Sequence, residues 1–524
     1  MIPPSVRAAK PSGFRGVALV LSPSLVHAFA ETSPILSLRW IVQKTAFLLG
    51  RSRQNAAEEK SVAVGNRSEG WGFYGNGIDK GLRCASILSN CGLCCWEPAA
   101  KAAEQHAKTI EKRTRIAMND EQGSLHRMQA MYEAYPYPPH DGKSALLEET
   151  LGDTLEQIDQ DVFGGRLRSR GQIRVLIAGG GTGAATTYIA HQLQNAGLIF
   201  EVVYLDLSDA SLTIARRRAE KLDVAERIRF VQGSLLDLER LDLGLFDFIS
   251  CSGVVHHLDK PVQGVHSLAQ ALKADGGICL MVYGALGRTG VYPMQQMLRA
   301  IAPDSLPFAK RIRTARHLLR QLPPTNWLNR HMMPFEAPDD SRLVDLFLHP
   351  RDVAYQIPAL FRLLETAGLN FRSFALPALY SMRTYTSDAT VLAVVSTLQP
   401  MEQYAFAENF IGAIKTHIVY AVRPGGVHAA LTVATPGMAL VWRHSTPAFP
   451  LPEKGPATVA LRRDPLMRNV TLSTATLAAL RNIDGRRSLT DLCPPHDLEE
   501  VRRVLGDLGD FGYVFTRQPP DSST

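Results

Sequence analysis

Short apolar runs alternate with amphipathic segments along residues 171–283, and this is the strongest hydrophobic pattern in the chain. Each apolar run has the length of a buried strand, whereas the segments between them repeat apolar residues at helical spacing. Strands that alternate with helices indicate an α/β fold, in which a mainly parallel sheet carries helices on both faces. The predicted strands are Arg174–Ala178, Phe200–Leu205, Ile228–Gln232, Phe246–Cys251 and Ile278–Tyr283, and the predicted helices are Ala184–Ala196, Ala210–Leu222 and Val262–Leu272.

The pattern divides the chain into four regions. Residues 1–115 are predicted to be a leader with little order, and residues 116–285 hold the α/β domain. Residues 286–425 are predicted to be mainly helical and to form a substrate or cap region. Residues 426–524 are predicted to be a linker and a small winged-helix-like unit, with helices at Thr474–Ile483 and Leu498–Leu508 and a wing strand at Tyr513–Thr516.

The leader has features of a targeting segment. Residues 1–30 carry no acidic residue, and an apolar stretch, Gly16–Val26, precedes Ala28-Phe29-Ala30, which resembles a cleavage site. Pro23 interrupts that stretch, so a secretory signal, an organelle-targeting leader and an unstructured extension all stay open. The compartment is therefore open between the cytoplasm and an organelle.

The net charge of +7 is concentrated in the leader. Residues 1–60 contain eight Lys and Arg residues and three acidic residues, which accounts for five of the seven charges. The remaining chain is nearly neutral overall, so the composition argues against a nucleic-acid-binding protein. No apolar run reaches the roughly 20 residues that a membrane-spanning helix needs, and we expect no such helix.

Four of the seven cysteines cluster in the leader, at Cys84, Cys91, Cys94 and Cys95. Adjacent cysteines do not easily ligate one tetrahedral ion, and no second CxxC pair follows, so we expect no metal site. The cluster's role stays open. The other three cysteines, Cys251, Cys279 and Cys493, are expected to be reduced and to pack as small apolar residues.

A glycine-rich turn and an acidic residue follow the first two predicted strands. Gly179, Gly181 and Gly183 leave bare backbone that a ligand can approach closely, and with Ala184 they also satisfy the dinucleotide-binding fingerprint. Asp206 lies 23 positions after Gly183, where a carboxylate can accept hydrogen bonds from the two hydroxyls of a ribose. Together they predict an adenosine-containing cofactor and do not choose between NAD and S-adenosylmethionine.

The later segments choose between these cofactors. Gly233-Ser234-Leu235 follows the third strand, Ser252-Gly253-Val254 follows the fourth, and Asp275-Gly276-Gly277 precedes the fifth. Taken in order, residues 172–284 resemble the class I S-adenosylmethionine-dependent methyltransferases. The resemblance implies a Rossmann-like fold and S-adenosylmethionine as the cofactor.

The resemblance implies a cofactor-binding role for eight residues. The turn glycines would surround the methionine part, and the acid after the second strand would hold the ribose. Three residues after the second and third strands would lie at the adenine, and one after the fourth strand would face the sulfonium. These residues are Gly179, Gly181, Gly183, Asp206, Leu207, Ser234, Leu235 and Ser252. Two positions depart from the family pattern, because Ile177 and Ser234 stand where acids are usual.

A wider resemblance is to a bacterial-type subgroup that carries a Tyr-Pro-Tyr-Pro segment before the domain, here Tyr135–Pro139. Tyr135 and Tyr137 are expected to roof the cofactor pocket or to pack as a strap, and Tyr137 is a candidate catalytic residue. His256, of the His256-His257 pair, is the second candidate, as a general base. Packing of that pair against the next helix is the alternative.

The polar residues beyond the domain are expected to have structural roles. Arg288 and Tyr292 are expected to lie in a solvated loop, with contact to an anionic or polar acceptor as the alternative. The polar group from Asp345 to Asp352 is expected to cap helices and to form salt bridges.

The predicted activity is methyl transfer by in-line displacement to a small molecule or a protein side chain. A nicotinamide-dependent oxidoreductase is the first alternative, although no Tyr-x-x-x-Lys pair follows the fourth strand. A non-catalytic methyltransferase-like binding protein is the second. Helix Leu498–Leu508 has acidic residues beside its arginines, which argues against a phosphate-binding helix. The acceptor and the oligomeric state stay open.

Overall fold

The computed structural model describes residues 123–520 except for 145–146, 332–338, 426–430, 446, 448 and 464. The predictions made for the leader, including the cysteine cluster at Cys84, Cys91, Cys94 and Cys95, therefore lie outside the described residues. Within that part of the chain, no helix has the length and apolar character needed to cross a bilayer.

A seven-stranded sheet is the centre of the described part of the chain, with the strand order β3-β2-β1-β4-β5-β7-β6. Strands β1 to β5 pair in parallel, whereas β7 runs antiparallel to both of its neighbours, β5 and β6. The strands of this sheet are β1 Ile173–Ala178, β2 Phe200–Asp206, β3 Ile228–Gln232, β4 Phe246–Ser252, β5 Leu272–Tyr283, β6 Asn370–Phe374 and β7 Thr416–Val422. The predicted α/β, Rossmann-like fold is confirmed.

Helices cover both faces of the sheet or extend from it. A helix whose described part is 123–134 comes first and is called α1. The following helices are α2 Leu155–Asp161, α3 Ala184–Asn195, α4 Asp209–Lys221, α5 Leu238–Leu241, α6 Pro261–Gln270, α7 Val291–Ile301, α8 Phe308–Arg320, α9 Trp327–His331, α10 Asp340–Phe347, α11 Ile357–Thr366, α12 Ala389–Val395 and α13 Pro400–Ile411.

Alternate residues of β1 enter two different apolar cores, which is why this strand is apolar almost throughout. Val175 and Ile177 pack in a core that includes Ile189 of α3. Leu176 packs on the other face, in a core that includes Leu268 of α6. A strand with both faces covered must be a continuous apolar run, as the central strands of parallel sheets are.

A third apolar cluster holds the helical region next to the domain. Met131 of α1 packs there with Val291 and Leu298 of α7 and Leu343 of α10. These contacts place α1 and α10 beside the carboxyl ends of the sheet strands, where the candidate site lies.

The sequence predictions for residues 270–425 need two corrections. The fifth strand begins at Leu272, six residues earlier than predicted, because Leu272 pairs with Phe246 before a register shift. The region 286–425 is also not wholly helical, because it supplies β6 and β7 to the sheet. The predicted boundary at residue 285 is therefore not a break in the sheet.

The C-terminal elements dock on α2. They are β8 Ala439–Trp442, β9 Ala457–Arg463, β10 Leu466–Leu472, α14 Thr474–Arg481, α15 Leu489–Leu492, α16 Leu498–Asp510 and β11 Val514–Arg517. Strand β11 pairs with β8, and the backbone N–H of Thr516 donates to the Gln160 side chain of α2 at 2.9 Å. The predicted helices and final strand are present, whereas their assignment as a winged helix stays a prediction.

The three cysteines within the described residues behave as predicted. Cys251, Cys279 and Cys493 are free and buried. Cys251 and Cys279 lie on β4 and β5, so they fill the sheet core as small apolar side chains do.

We predict that Asp247 holds the amino edge of the sheet together. Its side chain is 1% exposed and contacts Arg170 and Lys273 at 2.7 Å each, and it accepts a hydrogen bond from the Arg174 backbone N–H at 2.8 Å. Its removal leaves the Arg174 backbone N–H without this acceptor and Lys273 without this partner, whereas Arg170 keeps Asp275, so Asp247→Ala should lower the free energy of unfolding by about 1–3 kcal/mol. Urea denaturation of the full chain measures this change.

Asp275→Ala is the matched control for Asp247→Ala. Asp275 also pairs with Arg170, at 2.8 Å, but its side chain is 43% exposed. The loss should therefore stay below about 1 kcal/mol. Equal losses for the two variants would contradict a structural role specific to Asp247.

Candidate functional site

A cavity of about 590 Å³ lies at the carboxyl ends of β1, β2 and β4. The turn after β1 contributes Gly179, Gly180 and Gly181, the end of β2 contributes Asp206, and the end of β4 contributes Ser252. Open α/β sheets bind ligands at this edge. The volume falls within the range of small-molecule pockets, about 300–1,000 Å³.

A hydrogen bond joins the glycine turn to the carboxylate. The backbone N–H of Gly181 donates to Oδ2 of Asp206 at 2.8 Å, and that of Ser208 donates to Oδ1 at 2.9 Å. A carboxylate has about four acceptor positions, so Asp206 can still accept a hydrogen bond from another donor. Burial raises the pKa of Asp206, and the backbone donors oppose that shift because they stabilise the ionised form.

The turn glycines are required by the packing of the protein itself. A Cβ on Gly180 would lie 2.3 Å from the Tyr204 ring, and one on Gly181 would lie 2.5 Å from the carbonyl oxygen of Tyr137. The Tyr204 hydroxyl also donates to the Gly181 carbonyl at 2.7 Å. Close approach of a ligand is therefore not the only reason for glycine here.

Gly183 differs from the other predicted turn residues. It does not line the cavity, and it caps the start of α3 with a φ of 92°. A Cβ there would lie 2.8 Å from the Cβ of Ala215 in α4. Its predicted position at the methionine part of a cofactor stays a prediction, and in this structure the residue serves helix packing.

The Tyr-Pro-Tyr-Pro segment is fastened to the glycine turn. The Thr182 backbone N–H donates to the Tyr137 carbonyl at 3.3 Å, and its hydroxyl donates to the Pro138 carbonyl at 2.8 Å. Tyr137 lines the cavity, as expected for a roof, whereas Tyr135 packs edge-on against Phe308, 5.3 Å between ring centroids. One tyrosine therefore faces the cavity and the other serves as a packed strap.

The residues predicted at the adenine line the same cavity. Leu207, Ser234 and Leu235 are among its walls, with Ile177 nearby where the family usually has an acid. The Ser234 hydroxyl accepts a hydrogen bond from the Leu236 backbone N–H at 3.2 Å. Since a hydroxyl oxygen also donates one proton, Ser234 can still contact a ligand while capping this turn.

The histidine pair is placed differently from the prediction. His256 is fully buried and does not line the cavity, and its ring centroid lies 4.0 Å from that of Tyr283. His257 lines the cavity instead. Burial lowers the pKa of both imidazoles, so both are neutral near pH 7. The prediction of His256 as the base is therefore wrong in position, because the turn Val255–His257 directs its ring into the core.

Two charged residues that sequence reasoning assigned to structural roles reach the cavity. Asp345 of α10 lines it and accepts a hydrogen bond from the Tyr132 hydroxyl at 3.0 Å. Arg288 also lines it, and its buried guanidinium pairs with Asp352 at 2.7 Å. The expected solvated loop at Arg288 is therefore wrong, whereas the expected salt bridge at Asp352 is present. The signal for Asp345 in the sequence was its membership of the polar group from Asp345 to Asp352.

The tyrosines around the cavity are neutral hydroxyl groups. Burial raises the pKa of Tyr137 to about 12, and it raises the pKa of Tyr132 and Tyr283 well above the ordinary value. They can donate or accept hydrogen bonds but do not ionise near pH 7. Tyr137 therefore lines the site without the chemistry of a base.

The sequence matches a known domain family across the strands that form this site. Residues 176–278 match the family model described as a methyltransferase domain. An uncharacterized protein of Synechococcus sp. is 32% identical over 250 residues, which are 47% of this chain and 59% of that protein. A non-reducing polyketide synthase of Penicillium roqueforti, adrD, is 31% identical over 122 residues, which are 22% of this chain and 5% of the synthase. The chain thus spans less than two thirds of these relatives.

A solved structure has a similar fold. It is that of PKMT2 from Rickettsia typhi in complex with AdoHcy, with a TM-score of 0.50 and 15% sequence identity. The alignment covers 73% of this chain and 77% of that chain. Residues 176–278 therefore resemble a methyltransferase domain, and the likeness to this structure supports the Rossmann-like fold of the described residues.

We predict that Gly180→Ala destabilises the turn through contact with Tyr204. The added Cβ would lie 2.3 Å from the Tyr204 ring. Overpacking of this kind typically costs about 1–3 kcal/mol of stability. Thermal and urea denaturation of the full chain would measure the loss.

Gly171→Ala is the control, because a Cβ there meets no atom within 4 Å. Its stability should stay within about 0.5 kcal/mol of the parent. A Gly180→Ala variant as stable as this control would show that Tyr204 does not constrain the turn.

Proposed function

We propose that the protein transfers the methyl group of S-adenosylmethionine to a small molecule or a protein side chain. The observation that supports this most directly is the hydrogen bond between Gly181 and Asp206 at the edge of the cavity. It brings a bare-backbone turn and a ribose-binding carboxylate to one wall. The methyltransferase domain match over residues 176–278 supports the same activity.

The cavity walls suit the parts of the cofactor in order along the sheet edge. Asp206 would accept hydrogen bonds from the ribose hydroxyls, since its carboxylate lines the cavity and keeps acceptor capacity. Gly179 and Gly181 would lie along the methionine part. The adenine would contact Leu207, Leu235 and Ser234, and the residue nearest the sulfonium would be Ser252. These seven residues do not include Gly183, which does not line the cavity.

The chain's main contribution to this chemistry would be alignment. When bound, the cofactor supplies a methyl group already activated by the positive sulfur. The protein must hold the acceptor in line with the carbon–sulfur bond and exclude water. Three loops line the acceptor side, through Tyr137, Val254 and Arg288.

The oxidoreductase alternative has less support. A classic dinucleotide-binding sheet has the strand order 3-2-1-4-5-6, whereas here the antiparallel β7 lies between β5 and β6. A nicotinamide cofactor also has no predicted Tyr-x-x-x-Lys pair to act with.

We also propose that the chain belongs to the subgroup that carries a Tyr-Pro-Tyr-Pro segment. In this chain the segment is not an appendage, since the carbonyl groups of Tyr137 and Pro138 accept hydrogen bonds from Thr182 of the glycine turn. The segment therefore helps to shape the cofactor site, which is a reason for the motif to precede this domain.

We predict that Asp206→Asn weakens binding of S-adenosylhomocysteine. The carboxamide loses the charge that strengthens hydrogen bonds to ribose hydroxyls, which is worth about 1.5–3 kcal/mol. The dissociation constant should therefore rise about 10- to 150-fold. Isothermal titration calorimetry of the full chain would measure it, with NADH as a second titrant that should give no binding heat.

Asp209→Asn is the control for Asp206→Asn. Asp209 is exposed, three residues further on in α4. It should bind S-adenosylhomocysteine as the parent does. Unchanged affinity in a folded Asp206→Asn variant would contradict the proposed cofactor site, and NADH binding would favour the oxidoreductase.

A further inference from the structure

We propose that His257 is the general base of this methyl transfer and that the acceptor reacts through a hydroxyl or amino group that still carries its proton. This inference rests on the proposed function. It replaces His256, the base suggested by the sequence, and it defines the acceptor by the chemistry of its nucleophilic atom.

The tautomer of His257 follows from one contact. Its Nδ1 lies 2.7 Å from the backbone carbonyl oxygen of Arg351. A carbonyl oxygen only accepts hydrogen bonds, so Nδ1 must carry the proton of the neutral ring. The lone pair is therefore on Nε2. A hydrogen bond that fixes the tautomer in this way also fixes the direction of the ring.

The Nε2 lone pair of His257 is unused by the described part of the protein. Nε2 is buried and has no hydrogen-bond partner among the described residues, although the residue lines the cavity. A buried polar atom without a partner requires an explanation, and a ligand proton is one. His256 has two such nitrogens but does not line the cavity, so an acceptor in the cavity does not meet it.

The surroundings of His257 are suited to a transient positive charge. Asp345 and Asp352 each act to raise the pKa of the imidazole, and Arg288 acts to lower it. Burial is the largest influence and lowers that pKa. Arg288 itself is paired with Asp352 at 2.7 Å. Asp345, which also lines the cavity, is therefore the acid left to stabilise an imidazolium through its charge, without a hydrogen bond to the ring, because Nδ1–H donates to the Arg351 carbonyl.

The other groups packed around His257 carry no charge near pH 7. The His349 ring stacks on it at 3.7 Å between centroids, and the His256 ring lies at 4.3 Å. Burial lowers the pKa of both imidazoles well below the usual value, and it raises that of Tyr283. The Arg351 guanidinium is turned toward the Leu258 carbonyl, to which it donates at 2.8 Å.

Proton transfer to His257 accompanies methyl transfer. The O–H or N–H bond of the acceptor breaks and its proton passes to Nε2 of His257. The electron pair left on the nucleophile forms the new bond to the methyl carbon, and the pair of the broken carbon–sulfur bond stays on sulfur. The imidazolium then returns its proton to solvent after the methylated product leaves.

Asp345 would act as a positioning residue in this arrangement. Its Oδ1 accepts a hydrogen bond from the Tyr132 hydroxyl at 3.0 Å, which holds the carboxylate at the cavity wall. Burial raises the pKa of Asp345, and the nearby His257 and Arg288 oppose that shift. Since Asp345 and His257 stabilise each other's charged forms, loss of Asp345 should make His257 a weaker base.

Nuclear magnetic resonance of the full chain tests this arrangement without any turnover. The protein is labelled with ¹⁵N-histidine and saturated with S-adenosylhomocysteine. His257, assigned by loss of its signals in His257→Gln, should show a proton on Nδ1 and a bare Nε2 at pH 7. Phenol or benzylamine should shift the Nε2 resonance of His257 and leave the exposed His266 unchanged. A proton on Nε2, or no response to either probe, would overturn the proposal.

The same spectra test the role of Asp345. Asp345→Asn should move the titration midpoint of His257 to lower pH, because the carboxylate that favours the imidazolium is gone. Asp340→Asn, an exposed position on the same helix, should leave the midpoint in place. A midpoint that rises in Asp345→Asn would contradict the arrangement.

Kinetics with labelled S-adenosylmethionine test the base itself. In His257→Gln, methyl transfer to phenol or benzylamine should fall about 10²- to 10⁴-fold. Transfer to thiophenol, which is already ionised at pH 8, should change less than tenfold. Equal losses for all three acceptors would mean that His257 only shapes the cavity. Retained binding of S-adenosylhomocysteine by this variant would separate that outcome from failure of the proposed function.

Discussion

The hydrogen bond from the Gly181 backbone to the Asp206 carboxylate, 2.8 Å long, is the constraint on which the candidate site depends. It joins the ends of two neighbouring parallel strands and fixes the direction of the carboxylate. The turn can form it only because its glycines lie against Tyr204 and Tyr137 without side chains of their own. The same packing brings the Tyr-Pro segment to the cavity, so the segment and the glycine turn form adjoining walls of the cavity.

Sequence patterns predicted much of this arrangement because they follow local rules. Strands buried on both faces must be apolar, and the turn between β1 and α3 needs glycine, so Gly179, Gly181 and Asp206 could be found at once. Strand β7 was missed although Ile418–Val422 is an apolar run, because its partner β5 is distant in sequence. Long-range pairing of this kind leaves no periodic signal.

The residues on the acceptor side were harder to predict, because their roles depend on the direction in which each side chain points. His256 and His257 are adjacent, and only the geometry of one short turn decides which ring faces the cavity. Asp345 and Arg288 lie far from the glycine turn in sequence and line the same cavity, beside the helices α1, α7 and α10 that pack together. Gly183 is a different case: it fits the glycine motif in the sequence, but in the structure a side chain there would collide with Ala215 of the neighbouring helix.

A crystal structure of the full chain with S-adenosylhomocysteine would show whether Asp206 and the glycine turn form the cofactor site. We expect density in the cavity, with both ribose hydroxyls within hydrogen-bonding distance of Asp206 and the sulfur on the side of Ser252 and His257. Density elsewhere, or a ribose turned away from Asp206 in a well-ordered complex, would contradict it.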